Sequence, residues 1–468
     1  MEKTLKLKLL GYLLISAIGF TYFILPRNAG VSVPLFVIIQ AFCLWFIAPR
    51  RKPLLMLIPI SILALNSFIS ANEMWNAPNF LVIMALYSVM TLWMVGRLPL
   101  KEVSVRFLAN ILENILEPLR HFPLPFKWCG EVGKGNSKTA KRVFTGIFIS
   151  IPCLLFLMIM LSMADEIFSH YVAKGFTAFL TSIDFNTLFK IALGFMVGFY
   201  LFGLIFDTYQ KKQEKEAAAV ARKGDLIVLN ILLASILVVY TVFVFIQFKY
   251  LFASGNNLPY GLTFTYYARR GFFELLFLSG LNVMLILFVV WLAKEHEGKW
   301  AKLNKVLCCY LCAVTVVLLI SSFYRMWLYG VDDGLTRLRF LVFGFLFFEA
   351  VALIFTFFYI IKPKFNIIAV YFAIGLSYYL LLNIVQMDRI IARDQINRYF
   401  ETGKGGIEYS LTLSIDAAPE IARLLKSEEF DIRKRAYEHL EDNYKCYSAN
   451  NGWRQWNLSV DKLNSYYK

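Results

Sequence analysis

Histidine, cysteine and charge are all scarce in this chain, and each shortage closes off a class of function. The four histidines among 468 residues, His121, His170, His296 and His439, are scattered along the sequence and assemble no zinc-binding set. Of the seven cysteines, Cys446 alone falls on the oxidising side in the topology derived below, which leaves no framework for intramolecular disulfides. Cys308, Cys309 and Cys312 cluster, the last two at the spacing of a redox or metal pair. With no histidine beside them, they read as small apolar residues filling helix contacts. There is no Walker loop, no dinucleotide fingerprint and no elbow serine, so ATP-driven cytoplasmic chemistry is not expected within the chain and no cofactor is implied. Charged residues make up only 17% of the sequence, against about a quarter in soluble domains.

What fills the space is apolar: 59% of residues are hydrophobic, more than a water-soluble core can hide. A hydrocarbon layer of about 30 Å takes a helix of about 20 apolar residues. Eleven stretches qualify: Leu9–Leu25, Val31–Ala48, Pro53–Ile69, Asn79–Val95, Val143–Met163, Leu188–Phe206, Leu226–Phe248, Phe272–Ala293, Val306–Leu328, Phe340–Ile361 and Phe365–Val385. The expected fold is all-α, a polytopic transmembrane helix bundle of about 11 spans with a small helical extracytoplasmic C-terminal region. Pro34, Pro53 and Pro59 interrupt the early spans.

The formal net charge of +16 is distributed by topology. One set of alternate connections carries 26 basic and 11 acidic residues, the other set 9 and 8, and the tail from Gln386 onward 13 and 13. Lys3, Lys6 and Lys8, the run Arg50-Arg51-Lys52, the basic region 97–142 and the lysines after the sixth, eighth and tenth spans all share one parity. That is the positive-inside signature, not a nucleic-acid-binding surface. It predicts a cytoplasmic-membrane protein with a cytoplasmic N-terminus, anionic lipids against its cytoplasmic side, and an extracytoplasmic tail. The leading span has a basic flank and no small-residue cleavage site after it, so it is read as retained.

Four segments follow from this pattern: a four-span segment 1–96, a basic cytoplasmic loop 97–142, a seven-span core 143–385 and a tail 386–468. Within the loop, Phe107, Leu108, Ile111, Leu112, Ile115, Leu116 and Leu119 recur at helical spacing and mark an amphipathic helix over Val103–Leu119. In the tail, Asp416 before Ala417-Ala418-Pro419-Glu420 reads as a helix N-cap with proline in the first turn, continued by Ile421, Leu424 and Leu425. A second tail helix is expected over Glu428–Tyr444, with Phe430, Tyr437, Leu440 and Tyr444 on one side. About 80 residues is too few for a large core of its own, so the tail is expected to cap the bundle and to offer a surface to an envelope protein partner.

Polar residues collect on the side whose charges nearly cancel. They lie in Tyr266-Tyr267-Ala268-Arg269-Arg270-Gly271-Phe272-Phe273-Glu274-Leu275, in Tyr324-Arg325-Met326-Trp327-Leu328-Tyr329-Gly330, in Asp332-Asp333-Gly334-Leu335-Thr336-Arg337-Leu338-Arg339, and in Met387-Asp388-Arg389-Ile390-Ile391-Ala392-Arg393. Together with Ser162-Met163-Ala164-Asp165-Glu166-Ile167-Phe168 and the tail runs Leu411–Pro419 and Trp453–Ser459, these segments resemble an uncharacterised family of bacterial multi-pass membrane proteins. It is known as domain of unknown function 4173, with a relative, 4153. The resemblance covers roughly Val143 to the C-terminus. It implies a bacterial cytoplasmic-membrane protein and brings no activity with it.

Glu349 falls near the middle of the tenth span, where an ionised side chain costs about 2.5–3.5 kcal/mol on insertion scales. It is expected to be protonated, paired with a cation, or facing a wet cavity. Arg325 and Glu274 are its expected pocket partners, with Asn282 and Gln40 extending the set. Arg269, Arg270, Arg337, Arg339, Asp388, Arg389 and Arg393 make an anion-receptive rim. These residues predict an outward polar cavity used in solute transport or sensing. The competing structural reading is an interhelical network that fixes register. An enzymatic alternative places Asp165 and Glu166 as base or metal ligand toward a lipid-linked substrate, and a third reading is a scaffold for an envelope protein.

Overall fold

The computed structural model describes residues 3–25, 30–95, 115–132, 185–210, 224–247, 272–293, 296–448 and 452–465. Among them there is no strand, and the helices are α1 (Lys3–Gly19), α2 (Ser32–Ile47), α3 (Leu57–Ile69), α4 (Asn76–Val95), α5 (Leu124–Val132), α6 (Phe185–Gln210), α7 (Leu226–Gln247), α8 (Phe272–Ala293), α9 (Lys299–Asp333), α10 (Arg337–Ile361) and α11 (Ile367–Ile384). The tail adds α12 (Met387–Thr402), α13 (Ile407–Leu411), α14 (Ala418–Ile421), α15 (Phe430–Ser448) and α16 (Leu458–Ser465).

Nine helical stretches among the described residues are long and apolar enough to cross a membrane, and they coincide with nine of the expected spans. Helix α2, at 16 residues, is apolar but shorter. The remaining expected span, Val143–Met163, lies outside the described residues, as does most of the expected amphipathic helix Val103–Leu119. By length and composition this is a multi-pass membrane protein. Helix α9, with 35 residues, is about 52 Å long and so overruns the hydrocarbon layer. The early prolines do not break their helices: Pro53 opens a 3-10 turn, Lys52–Met56, that leads into α3, and Pro34 sits in the first turn of α2.

The chain divides into two compact units. The first holds α1, α2, the start of α3, most of α4, α5 and α6. Its helices approach closely where α6 carries glycine: a Cβ on Gly198 would stand 2.8 Å from the Ala17 Cβ and 2.9 Å from the Leu13 carbonyl oxygen of α1. Small residues spaced four apart, Gly194 and Gly198, are how membrane helices gain contact without a hydrophobic driving force between them. One end of this unit gathers Lys6 over the Trp128 ring, a His121–Asp207 contact of 2.6 Å, and Tyr209 donating to the Ile47 carbonyl.

The second unit holds the rest of α3, the first turn of α4 and everything from α7 onward. Leu233 of α7, Ile286 and Val289 of α8, Leu311 and Leu318 of α9 and Leu346 of α10 form its apolar centre. Cys308 and Cys312 belong to that centre, with weak Sγ–H contacts to Asn304 (3.8 Å) and the Leu353 carbonyl (3.9 Å), as expected of filler residues. The tail has a separate core made of Ile391, Ala392 and Ile396 of α12, Ile415, Ala417, Ile421, Leu424, Ala436, Leu440 and Leu463. Two expectations for the tail are corrected. The N-terminal cap position before the turn Ile415–Ala417 is Ser414, and Asp416 lies inside that turn. On α15, Leu440 is buried, but Phe430 and Tyr437 are exposed at 72% and 50%, because the helix turns Ala436 toward the core instead.

Candidate functional site

Among the described residues of the second unit, one polar cluster inside the spans and one at their end bear on the expected site. The intramembrane cluster is built from side chains that face each other across α7, α8, α9, α10 and α11. Tyr240 donates to Asn282 (2.8 Å), and Asn282 donates to Thr315 (3.2 Å), which in turn bonds the Leu311 carbonyl. Thr356 and Tyr371 share a hydroxyl contact of 2.5 Å. Glu349 of α10 has 8% of its surface exposed and lies beside the Ser279 hydroxyl and within electrostatic range of Tyr371. The Ser279 hydroxyl, however, donates to the Leu276 carbonyl (2.8 Å), and among the described residues neither carboxylate oxygen of Glu349 has a hydrogen-bond partner. A buried acceptor left in that state costs about 1–3 kcal/mol, more if charged.

The expected partners of Glu349 are not bonded to it. Arg325 is buried in α9 and donates to Gln247 of α7 (3.2 Å), which also accepts from Ser321 (3.0 Å). Measured along the helices at about 1.5 Å per residue, Arg325 lies roughly 12 Å from the α9–α10 connection and Glu349 roughly 18 Å. Glu274 is exposed in the first turn of α8 and is not part of a buried pocket. Gln40 belongs to the first unit, where it bonds Ser16 (3.1 Å).

The second cluster forms where the α3–α4 connection, the α9–α10 connection and the chain leaving α11 meet. Asp388, fully buried at the start of α12, accepts two parallel bonds from Arg337 (2.8 and 2.6 Å), one from the Asn72 side chain (3.1 Å) and one from the Ser414 amide (3.0 Å). Burial works against ionisation there, but the Arg337 and Ser414 bonds outweigh it and hold the Asp388 carboxyl below the usual aspartate range. Asp416, equally buried, accepts from the Ser70 hydroxyl and from the Ala71 amide (2.9 Å). With no cation beside it among the described residues, burial wins, and its carboxyl is held above the usual range.

This second cluster is a clasp that also closes the C-terminal end of α3, whose last carbonyls have no partner within the helix. Asn457 donates to the carbonyls of Ser67 and Ser70 (2.8 Å each), Ser459 to Ile69 (3.0 Å) and Gln386 to Ile69 (3.4 Å). The Asn457 side-chain oxygen accepts from the Ser459 amide (2.8 Å), so one side chain caps the end of α3 and the start of α16. Below the clasp, Asn79 links Asn383 (2.7 Å) and Tyr379 (2.6 Å), and Trp75 packs edge-on against Tyr379.

The expected rim residues therefore separate. Arg337 and Asp388 are one structural pair. Arg339 is buried and donates to the Gly334 carbonyl. Arg389 and Arg423 converge on Glu420 (3.5 and 3.0 Å), and Arg393 is exposed. Arg269, Arg270, Asp165 and Glu166 lie outside the described residues. Among the described residues no group of three histidine, cysteine or acidic side chains could hold a metal.

Residues 57–424 match the family model described as Domain of unknown function (DUF4153). The chain belongs to that family. DUF4153 is the relative named beside 4173 above, and the match reaches further upstream than Val143: it begins at the first residue of α3 and takes in α4. It ends at Leu424, so the DUF4153 match includes Asp388 and Asp416 of the clasp but not Asn457. No curated protein and no solved structure matched the chain. Sequence reasoning missed Ser70, Asn72, Asn383, Asn457 and Ser459. Asn457 and Ser459 fall in the tail run Trp453–Ser459 that was read as part of the family resemblance, but the family match ends before it, at Leu424.

Proposed function

We propose that this DUF4153 protein resides in a bacterial cytoplasmic membrane and that the polar cluster at Glu349 binds a solute, for transport or for sensing. One observation carries the reading: the Glu349 carboxyl is buried within a membrane span beside Ser279 and Tyr371, with no cation bonded to it among the described residues. Arg325 and Gln247, one helix away, supply a charged group that a solute entering from the tail's end would meet first. The test is chemical. Dicyclohexylcarbodiimide, which reaches carboxyl groups in apolar surroundings, is expected to modify Glu349, to leave Glu349→Gln unmodified, and to react more slowly when a bound solute covers the site. An unreactive Glu349, or a rate indifferent to every cation and polar solute tried, makes the residue structural and overturns the reading.

The orientation we propose has the N-terminus and the basic loops in the cytoplasm against anionic lipid, and the tail outside. It is supported by the charge partition and by the meeting of three same-parity connections at the clasp. Cys446 is exposed on α15 and therefore reports it. A membrane-impermeant maleimide applied to intact cells is expected to label Cys446, and failure to label when a detergent-opened control does label would reverse the orientation. The exposed Phe430 and Tyr437 on α15 favour a second role for the tail, as a docking face for an envelope protein partner.

A further inference from the structure

Helix α12 begins two residues after α11 ends, and its position is fixed by bonds at both ends of its buried face. Gln386, just before it, donates to Ile69, the last residue of α3. Asp388 holds Arg337, while two turns on Asp394 accepts from the Leu335 amide (2.8 Å) and Gln395 donates to the Leu335 carbonyl (2.8 Å). The α9–α10 connection is thus gripped by residues 388 and 394–395, about 10 Å apart along α12. A helix so held lies against the ends of α3 and α10, where their apolar stretches stop.

The opposite face of α12 has an unusual composition for that place. Residues 390, 393, 397 and 400, spaced as one helical stripe, are Ile390 (41% exposed), Arg393 (exposed), Asn397 (half-buried) and Phe400 (45% exposed). Arg393 has no acidic partner among the described residues. Beside the stripe, Arg389 and Arg423 each give a single N–H group to the same carboxylate, Glu420, and the Arg423 guanidinium lies 5.9 Å from the Phe400 ring centroid. Three guanidinium groups with one carboxylate among them leave a net positive patch with unused donors. Apolar side chains interleaved with arginine, on a helix lying at the membrane boundary, are the composition of an interfacial helix. The tail offers an aromatic at the same level: Trp456, 44% exposed, packs 5.2 Å from Phe68 in the last turn of α3.

We infer that α12 is an interfacial helix and that Arg389, Arg393 and Arg423 together bind the phosphate of an anionic phospholipid in the leaflet on the tail's side. Ile390 and Phe400 enter the glycerol and upper acyl region, and the guanidinium groups take the headgroup phosphate in the bidentate geometry that arginine favours. The inference is independent of the reading of Glu349 and of which membrane face carries the tail.

The experiment uses the full-length protein in nanodiscs of phosphatidylcholine doped with phosphatidylglycerol carrying a photoreactive group beside its phosphate. Cross-links are expected on peptides covering residues 387–402 and 418–426. Arg393→Glu, a change at an exposed residue, is expected to reduce the yield there by at least about fivefold, the effect of one surface arginine on anionic-lipid binding. Arg393→Lys is expected to retain most of it, and millimolar glycerol phosphate to have no effect. Equal labelling by photoreactive phosphatidylcholine, or an unchanged yield in Arg393→Glu, removes the anionic preference and overturns the inference. Suppression by glycerol phosphate also overturns it, by assigning the patch to a soluble anion.

Discussion

Asp388→Asn is expected to lower the stability of the tail-bearing end of the protein by about 3 kcal/mol and to free the tail to proteases. Removing one partner of a buried ion pair costs about 3–5 kcal/mol, because the other charge is left uncompensated. Arg337 is 32% exposed at its side chain, so water recovers part of its solvation and the lower end of that range applies. The substitution also turns an amide N–H toward the donors of Arg337 and Asn72, which makes shape conservation no protection. Thermal unfolding in detergent and trypsin cleavage of the tail both read the loss, and a melting temperature within a degree of wild type would rule out a supporting role for the pair. Arg337→Lys, which keeps the charge and loses the fork, should lie between the two.

The two buried aspartates have opposite pH signs. Asp388, with its carboxyl held low, contributes stability that is fully present above the unfolded aspartate value of about 3.9 and is lost as pH falls through its lower native value. Asp416, held high, binds its proton more tightly in the folded state, so its burial opposes folding increasingly as pH rises from about 3.9 through its native value. The clasp should therefore tighten on mild acidification and fail on strong acidification. Asp416→Asn should remove the first limb and leave the second.

Asn457→Ala is the other substitution of large expected effect. It removes the N-cap of α16, worth about 1 kcal/mol, and strips the carbonyls of Ser67 and Ser70 of their shared donor. Unsatisfied buried acceptors cost about 1–3 kcal/mol. A total loss of about 2–4 kcal/mol follows, seen as rapid hydrogen exchange of amides 458–465 and exposure of the end of α3. Asn457→Asp divides the two contributions: its oxygen still caps α16, but it has no N–H for the carbonyls. If Asn457→Asp matches wild type, the cap on α3 carries no weight; if it falls close to Asn457→Ala, that cap carries most of the effect.

Nine of the expected spans were legible because each is a self-contained run of about 20 apolar residues, a property that needs no knowledge of neighbours. Even Pro53 and Pro59 misled little, since a proline at a helix start gives up an N–H that had no partner anyway. Asp416 was misread for the opposite reason. Its spacing to Pro419 satisfies a local capping rule, but its carboxylate bonds Ser70 and Ala71, about 345 residues away, and no local pattern reports that. On helix α15 the expected stripe is only half right: Leu440 and Tyr444 pack on the tail core, while Phe430 and Tyr437 give way to Ala436, whose small side chain allows close approach. Glu349 was found from its charge in an apolar run. That Arg325 bonds Gln247 and that Glu274 is exposed were not legible, because sharing a membrane side fixes neither depth nor the facing of a helix.

The clasp also sets an order of assembly. The carbonyls at the end of α3 are made early, and the side chain that satisfies two of them arrives 387 to 390 residues later. At about 5–20 residues per second, that interval is on the order of 20 to 80 s. Throughout it, α3 and α4 can be inserted, but the connection between them has no stable form. A nascent chain thus exposes an open helix end until Asn457 and Ser459 are made, so a change that removes these two side chains is reported at the third helix.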